Sequence, residues 1–401
     1  MAGERQFDLV LFGATGFTGG LVADYLAQVS VEEPFRWAIA GRNPEKLESV
    51  RARLAAIPGA VRPALIMAGA DDADALSRLA ASTVAVITTV GPYEQLGGPL
   101  AYACAAAGTH YADLAGEPRF VHRLHGSCDA LAKQNGARLV PSCGFESIPP
   151  DIMVMEAVRE LRRALGDRVF NAVDVVAKGG AEAHGRVSGG TWQSAIGVMA
   201  GMREWWGQHP AHPGENVHAV KTPFFHEDHW QRWALLVPTI DPEVVMHSAR
   251  VRRDYGHTFS YGHYLVARNP LSLAGLVAGA GGLFLLAQFD RSRRWLLGRL
   301  LPGEGPGQVQ RDNGWFTFHV TASAGGVTVV GTMRGGDPFY GDTARMLAEA
   351  GLCLALDRAL PAAAGVLTPA SAMGERLVPR LQRAGLTLEL RLLRHSALAP
   401  S

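Results

Sequence analysis

Seven residues near the N-terminus, Gly13-Ala14-Thr15-Gly16-Phe17-Thr18-Gly19, set three glycines at a GxxGxxG spacing between an apolar run, residues 7–12, and a helical pattern over residues 17–29. Strand, tight glycine turn and helix in that order make a phosphate cradle. Gly13 permits the turn, Gly16 lets the backbone approach a pyrophosphate, and Gly19 lets the helix pack on the strand. The N–H groups left free at the helix start, around Thr15, Phe17 and Thr18, point at the phosphates with the positive end of the helix dipole behind them. A second strand, residues 37–40, ends on Gly41-Arg42-Asn43. An NAD site usually places an acid there for the ribose 2′-hydroxyl, whereas the Arg42 guanidinium suits a 2′-phosphate. The expected cofactor is NADPH.

Further strand ends should line the same crevice, because ligands sit beyond the carboxyl ends of parallel strands. Asp71 follows the third strand, residues 64–67; it is expected to cap the next helix and to reach toward adenine. Gly91-Pro92-Tyr93 follows the fourth strand, residues 84–90, where Gly91 allows close approach to the ribose or nicotinamide and Tyr93 borders the reacting centre. The loop at residues 143–147, with Cys143, Glu146 and Ser147, follows the sixth strand on the same edge. Asp113 and Glu117 read as loop carboxylates that order this edge, Cys143 as a small residue in a turn, and Lys178 and His184 as solvated side chains. His226-Glu227-Asp228-His229 has an HxxH spacing, but no motif of fixed function surrounds it and hydride chemistry needs no metal.

The elements that must hold these residues alternate strand and helix through the first third of the chain. That implies βαβ units and a doubly wound parallel sheet of the Rossmann type over residues 1–145. After Pro149-Pro150 the rhythm changes. A longer strand over 169–177, a helix over 189–202, an irregular Trp- and His-rich stretch over 205–233, a strand over 261–267 and a hairpin around Gly325-Gly326 read as a second, mostly antiparallel α+β domain, residues 146–336, for substrate or dimer contacts. Residues 337–401 read as C-terminal helices and a strand, 386–393, packing back on the core. The fold class is thus α/β with a second α+β domain. With 401 residues, 48% hydrophobic, there is material for a large core; a net charge of +1 without a basic block speaks against nucleic acid. Cys104, Cys128, Cys143 and Cys353 are scattered, as expected of reduced thiols in a cytoplasmic protein, and the polar residues 1–6 do not resemble a signal peptide.

Taken together, the segments GATGFTG, AGR, TTVGPY, YADLAGE (residues 111–117) and CGFESIPPD (143–151), with PGEGPG (302–307), DPFYGDTARMLAEAGLCLA from Asp337 and GVLTPASAMG (365–374), resemble the saccharopine dehydrogenase-like oxidoreductases over nearly the whole chain. The branch most resembled is the bacterial trans-acting enoyl reductases. That resemblance implies NADPH-dependent reduction of a carbon–carbon double bond in a lipid-like or carrier-bound acyl substrate, with a polyketide synthase as partner. No tyrosine is followed four residues later by lysine, so the proton-delivering pair of the short-chain dehydrogenases is absent. Enoyl reduction needs hydride at the β-carbon, a stabilised enolate oxygen and a proton at the α-carbon. Tyr93, a protonated Glu146 and Ser147 are the expected donors. Reduction of an imine or keto acid, and a non-catalytic lipid-surface role, remain as alternatives.

One segment departs from the soluble pattern. Residues 269–289 carry no charge, and Arg268, Arg291, Arg293 and Arg294 flank them. A buried core helix, a membrane span and contact with a membrane surface are all compatible with the composition, and lipid contact, peripheral to the membrane, is the expectation. A homodimer is the remaining partner considered.

Overall fold

The structure, a computed structural model, describes residues 5–185, 216–237, 239–299 and 305–394, together with Trp192, Ile196 and Met199. The first sheet grows from short apolar runs that suit burial on both faces. In chain order its elements are β1 (Phe7–Phe12), α1 (Phe17–Glu32), β2 (Trp37–Gly41), α2 (Pro44–Leu54), β3 (Ala64–Met67), α3 (Ala73–Ser82), β4 (Thr83–Thr88), α4 (Tyr93–Ala107), β5 (His110–Ala112), α5 (Pro118–Asn135) and β6 (Arg138–Val140). The strands pair in parallel in the order 3-2-1-4-5-6, so the direction of winding reverses between β1 and β4. The ligand crevice of such a sheet lies at that switch point.

Local chemistry sets the helix starts. Asn43 accepts a hydrogen bond from the Lys46 N–H at 2.9 Å, with Pro44 in the first turn. The cap of α3 is Asp72, which accepts from Ala75 N–H at 2.9 Å, and not the expected Asp71; the turn at Gly69 carries the chain one residue further before the helix begins. α4 begins at Tyr93 although Gly97, Gly98 and Pro99 weaken helix propensity. Gly97 is needed there: a Cβ would lie 2.7 Å from the Phe120 ring of α5.

The second unit contains α6 (Ile148–Leu165), β7 (Val175–His184), β8 (Val217–Ala219), β9 (Phe224–Glu227), β10 (Arg232–Leu236), α7 (Asp241–Arg252), β11 (Phe259–Ala267), α8 (Pro270–Ala287), α9 (Asp290–Leu297), β12 (Trp315–Ala324) and β13 (Val327–Gly335), followed by α10 (Gly341–Leu356), β14 (Gly365–Val366), α11 (Leu377–Arg383) and β15 (Thr387–Arg394). Its sheet runs β15-β13-β12-β7-β11-β10-β9, with β8 also beside β11. Most pairs are antiparallel, but β11 is parallel to β7 and β8. Residues 216–233, expected to be irregular, contain β8 and β9 and lead into β10; Phe224 and Trp233, diagonal neighbours across β9 and β10, stack at 5.2 Å. Residues 205–215 and the helix expected over 189–202 lie outside the described residues, apart from Trp192, Ile196 and Met199, which are helical.

Residues 337–394 do not form a third unit; they stitch the other two together. α10 lies on the first sheet, with Gly351 so close that a Cβ would meet the Ile87 side chain at 2.5 Å. β14 adds a seventh parallel strand beside β6, and β15 closes the edge of the second sheet against β13. One buried apolar cluster accordingly runs from Leu9 and Ile87 through α6 to Phe318 and Val329. Arg380 on α11 is buried among Asp357, Glu33 and Glu349, the last contacted at 3.2 Å and also bonded by the Tyr25 hydroxyl at 2.7 Å.

The apolar segment forms α8 and is not core. Only Leu273 and Ala287 are buried, while Leu271 is 76% and Leu285 61% exposed. The buried-helix alternative is therefore overturned; hydropathy alone cannot tell an inward helix from an outward one.

Replacing Arg380 by methionine leaves Glu349 buried without its main cation. We expect a loss of roughly 3–5 kcal/mol, read as a lower urea midpoint; an unchanged midpoint would show that the cluster does not tie α11 to the first sheet.

Candidate active site

The expected nucleotide crevice is built on the glycine turn between β1 and α1 and on the strand ends beside it. Gly13 has φ +99, a left-handed conformation that a side chain rarely adopts, and its N–H bonds to Ala40 O at 2.9 Å. A Cβ at Gly19 would overlap the Gly13 carbonyl, so glycine alone lets α1 start against the β1 turn. Gly16 is different: its backbone is extended, and a Cβ there would meet nothing closer than 3.5 Å. That open space, with exposed Thr15 beside it, has room for a pyrophosphate. Phe17 packs edge-on against Tyr340 at 5.2 Å, which fixes the start of α1, where Thr18 follows. Arg42 is exposed at the end of β2 and forms no ion pair with a described acid. Asp71 is exposed beyond β3 and is free of helix capping. A dinucleotide with a 2′-phosphate fits this set of residues.

The loop after β4 contains a cis Gly91–Pro92 bond, with Gly91 exposed to the crevice. Tyr93, expected as a proton donor, is buried. Its hydroxyl donates to Thr88 O at 3.1 Å and accepts from Leu114 N–H at 3.3 Å, and its own N–H bonds to Glu117 at 3.3 Å. Burial and the nearby Asp113 push the phenol well above its usual range. A hydroxyl committed on both sides ties the β4 and β5 loops together.

Asp113 joins the next two loops. Its carboxylate accepts from Tyr111 OH at 2.7 Å, Ala115 N–H at 2.8 Å and Ser142 N–H at 2.9 Å, and burial raises its pKa to about 6. Ser142 adopts φ +63, and its hydroxyl donates to Ala115 O. This lattice holds the 143–147 loop in place. Cys143 is buried with its thiol pushed well above the usual range by that burial, so it is a packing residue. Ser147 is fully buried, with its hydroxyl shut away from the crevice, and does not serve as the expected donor.

Glu146 alone of the expected donors faces solvent. Its carboxylate lies over Gly116, whose lack of a side chain makes room for it. Although accessible, it stands in a recess between the two sheets, and desolvation, then Asp241 and Glu117, raise its pKa to about 7. Asp241 comes from the second unit, at the start of α7, where burial raises it also to about 7. His263 of β11 approaches Asp241 at 3.6 Å and shares a 3.0 Å hydrogen bond with the Tyr261 hydroxyl; burial lowers its pKa to about 3, so the imidazole is neutral.

Asp241, Tyr261 and His263 were not singled out by sequence. Tyr261 and His263 sit on the inward face of an expected strand, and Asp241-Pro242 marks a helix start, but no local signal joins them to a loop almost a hundred residues earlier. Lys178 is not a free side chain: it bonds Glu227 at 2.8 Å and stands over the Phe225 ring. His226 pairs with Asp228 at 2.8 Å, and among the described residues no group of three metal-ligating side chains comes together.

Residues 9–140 match the saccharopine dehydrogenase NADP binding domain. A putative trans-acting enoyl reductase of Mycobacterium tuberculosis is 33% identical over 97% of this chain and 98% of its own length. A trans-acting enoyl reductase of Mycobacterium leprae is 34% identical over 96% and 98%. Among solved structures, apo saccharopine dehydrogenase (L-Glu forming) from Saccharomyces cerevisiae aligns over 96% of this chain and 99% of that one with a TM-score of 0.52 at 11% identity, a likeness of fold.

Two outcomes follow for the crevice. NADPH should bind at least about tenfold more tightly than NADH, and Arg42→Ala should narrow the gap by weakening NADPH, since one charge-assisted hydrogen bond contributes roughly 1.5–3 kcal/mol; equal affinities in the unmutated protein would sink this. Gly16→Val, at an extended position with room for a side chain, should leave the circular dichroism spectrum intact and abolish NADPH binding. Normal binding by the folded variant would show that the pyrophosphate lies elsewhere.

Proposed function

This chain belongs to the trans-acting enoyl reductase family and is an NADPH-dependent oxidoreductase; within that class we propose that it reduces the carbon–carbon double bond of an α,β-unsaturated acyl substrate, with Glu146 as the proton donor. NADPH, when bound, supplies the hydride. The observation that carries the assignment of Glu146 is its combination of access and acidity: it is the one expected donor open to the crevice, and its pKa is raised to about 7. A general acid works best with a pKa near the working pH, where it both holds a proton and releases it readily. Contact with solvent lets Glu146 recover its proton after each turnover. Tyr93 and Asp113 are positioning residues that hold the loops on either side of it.

The electrostatics favour a neutral acyl group over a keto acid. Glu146 lies near Glu117 and Asp241, with Asp113 close behind, so the recess repels a substrate carboxylate. Relatives bear the name trans-acting, which describes a reductase acting on substrate held by another protein. For this chain we infer a carrier-bound acyl group presented by a polyketide synthase; the accessible position of Glu146 supports entry of a tethered substrate from outside.

NADPH oxidation with α,β-unsaturated thioesters tests this reading. Glu146→Gln should lower kcat by about 10²–10⁴-fold with NADPH affinity unchanged. Because the acid must be protonated to act, kcat of the unmutated enzyme should be level at low pH and fall as pH rises through about 7. A variant as active as its parent, or a parent with no such decline, would remove Glu146 from the chemistry.

A further inference from the structure

We propose that α8 and α9 form a monotopic anchor that inserts into the surface layer of an anionic phospholipid bilayer. The geometry of α8 selects lipid over a protein partner. At 100° per residue, Leu271, Leu276, Val277, Leu285 and Leu286 point in directions spread around the whole helix, and all five are exposed. A docked protein covers one stripe of a helix and leaves the others in water. Only an apolar medium on several sides accommodates this helix. Its glycines point the same way: among the described residues a Cβ at Gly275, Gly279, Gly281 or Gly282 would meet nothing within 4 Å, so no described backbone uses the space.

The flanking charges identify the lipid. Arg268 precedes α8, and Arg291, Arg293, Arg294 and Arg299 follow it, against Asp290 alone. Asp290 is taken by Arg293. The other four arginines are exposed and have no ion pair with a described acid. Beside them Phe289 is 67% and Trp295 54% exposed, and the Arg299 guanidinium stands 4.1 Å from the Trp295 ring centroid. Aromatic rings at the headgroup level with arginines reaching phosphates are the features of an interfacial helix.

Chain topology excludes a span. Eighteen residues of helix reach about 27 Å, enough for one crossing. Yet the excursion leaves from β11 and returns to β12, which both flank β7 in one sheet. A crossing would need a second one to return, and residues 298–314 include Arg299, Glu304, Arg311 and Asp312. The segment therefore lies within one leaflet. Its two ends flank the candidate active site: β11 carries Tyr261 and His263, and on return Gly305 is packed so closely on the Phe17 ring of the nucleotide loop that a Cβ would stand 2.5 Å from it. Bilayer contact thus sets the crevice at a lipid surface.

The test is flotation of the full chain with vesicles of phosphatidylcholine alone or mixed with phosphatidylglycerol. It is run beside Leu276→Ser/Val277→Ser/Leu285→Ser and Arg291→Gln/Arg294→Gln/Arg299→Gln, with NADPH titration and circular dichroism confirming that each is folded. The parent should float with the mixed vesicles and less with phosphatidylcholine alone. The serine variant should bind NADPH normally yet partition at least about tenfold less, and the glutamine variant should lose the preference for anionic vesicles. A parent that stays at the bottom with the mixed vesicles overturns the proposal, as does a serine variant that floats equally well. So does sedimentation showing a parent dimer that the serine variant dissolves without any vesicle binding, since a second copy then covers α8. NADPH binding and thioester reduction are read separately, so failure here leaves the reductase reading standing.

Discussion

Carboxyl groups crowded together where two sheets meet, two buried and one accessible, are the constraint around which this molecule is organised. Asp113, Glu146 and Asp241 all have pKa values raised toward neutrality: Asp241 by burial, Asp113 by burial and then Glu117, and Glu146 by desolvation and then Asp241 and Glu117. Hydrogen bonds from neutral donors hold Asp113 and Asp241 in place without supplying a countercharge. The cost is written in the linkage between protons and folding. Acids that titrate higher in the folded than in the unfolded chain hold protons that unfolding would release, so their contribution to stability declines as pH rises from the usual carboxylate range toward about 7. The apolar cluster that runs without a break from the first sheet into the second offsets that loss.

That seam exists because the chain crosses it repeatedly. The first sheet brings the nucleotide loop and the 143–147 loop to one edge, and α7 brings Asp241 against them from the other unit. The C-terminal residues then return to both: α10 and β14 to the first sheet, β15 to the second. His122 of α5 meets Glu243 of α7 at 2.9 Å, a link across the same seam. The nucleotide loop, Glu146 and Asp241 are thereby held on a single frame.

How much of this could be read from sequence depended on distance along the chain. The glycine turn, the parallel strands of the first sheet and the hairpin are local patterns, and each stands as read; Arg42 is exposed at the end of β2. Asp72 caps α3 where Asp71 was expected, a shift of one residue set by turn geometry that composition does not carry. Tyr93 was expected as a donor from its loop alone, but its hydroxyl turns inward because Thr88 and Leu114 offer it both an acceptor and a donor. Of three expected donors, only Glu146 kept access, and the companion that perturbs it most, Asp241, is joined to it only by tertiary packing. The exposure of α8 was likewise beyond composition, since an apolar helix reads alike inside and outside a protein.

The central claim is that the fold holds an accessible carboxyl group half protonated near neutral pH, and titration of Glu146 itself tests it most directly. Carbon-13 NMR of protein labelled at the glutamate side-chain carboxyl, with the resonance assigned by its loss in Glu146→Gln, would report that group alone. A midpoint near 7 is the predicted result. A midpoint near 4.5, the ordinary value of a glutamate in water, would contradict the account.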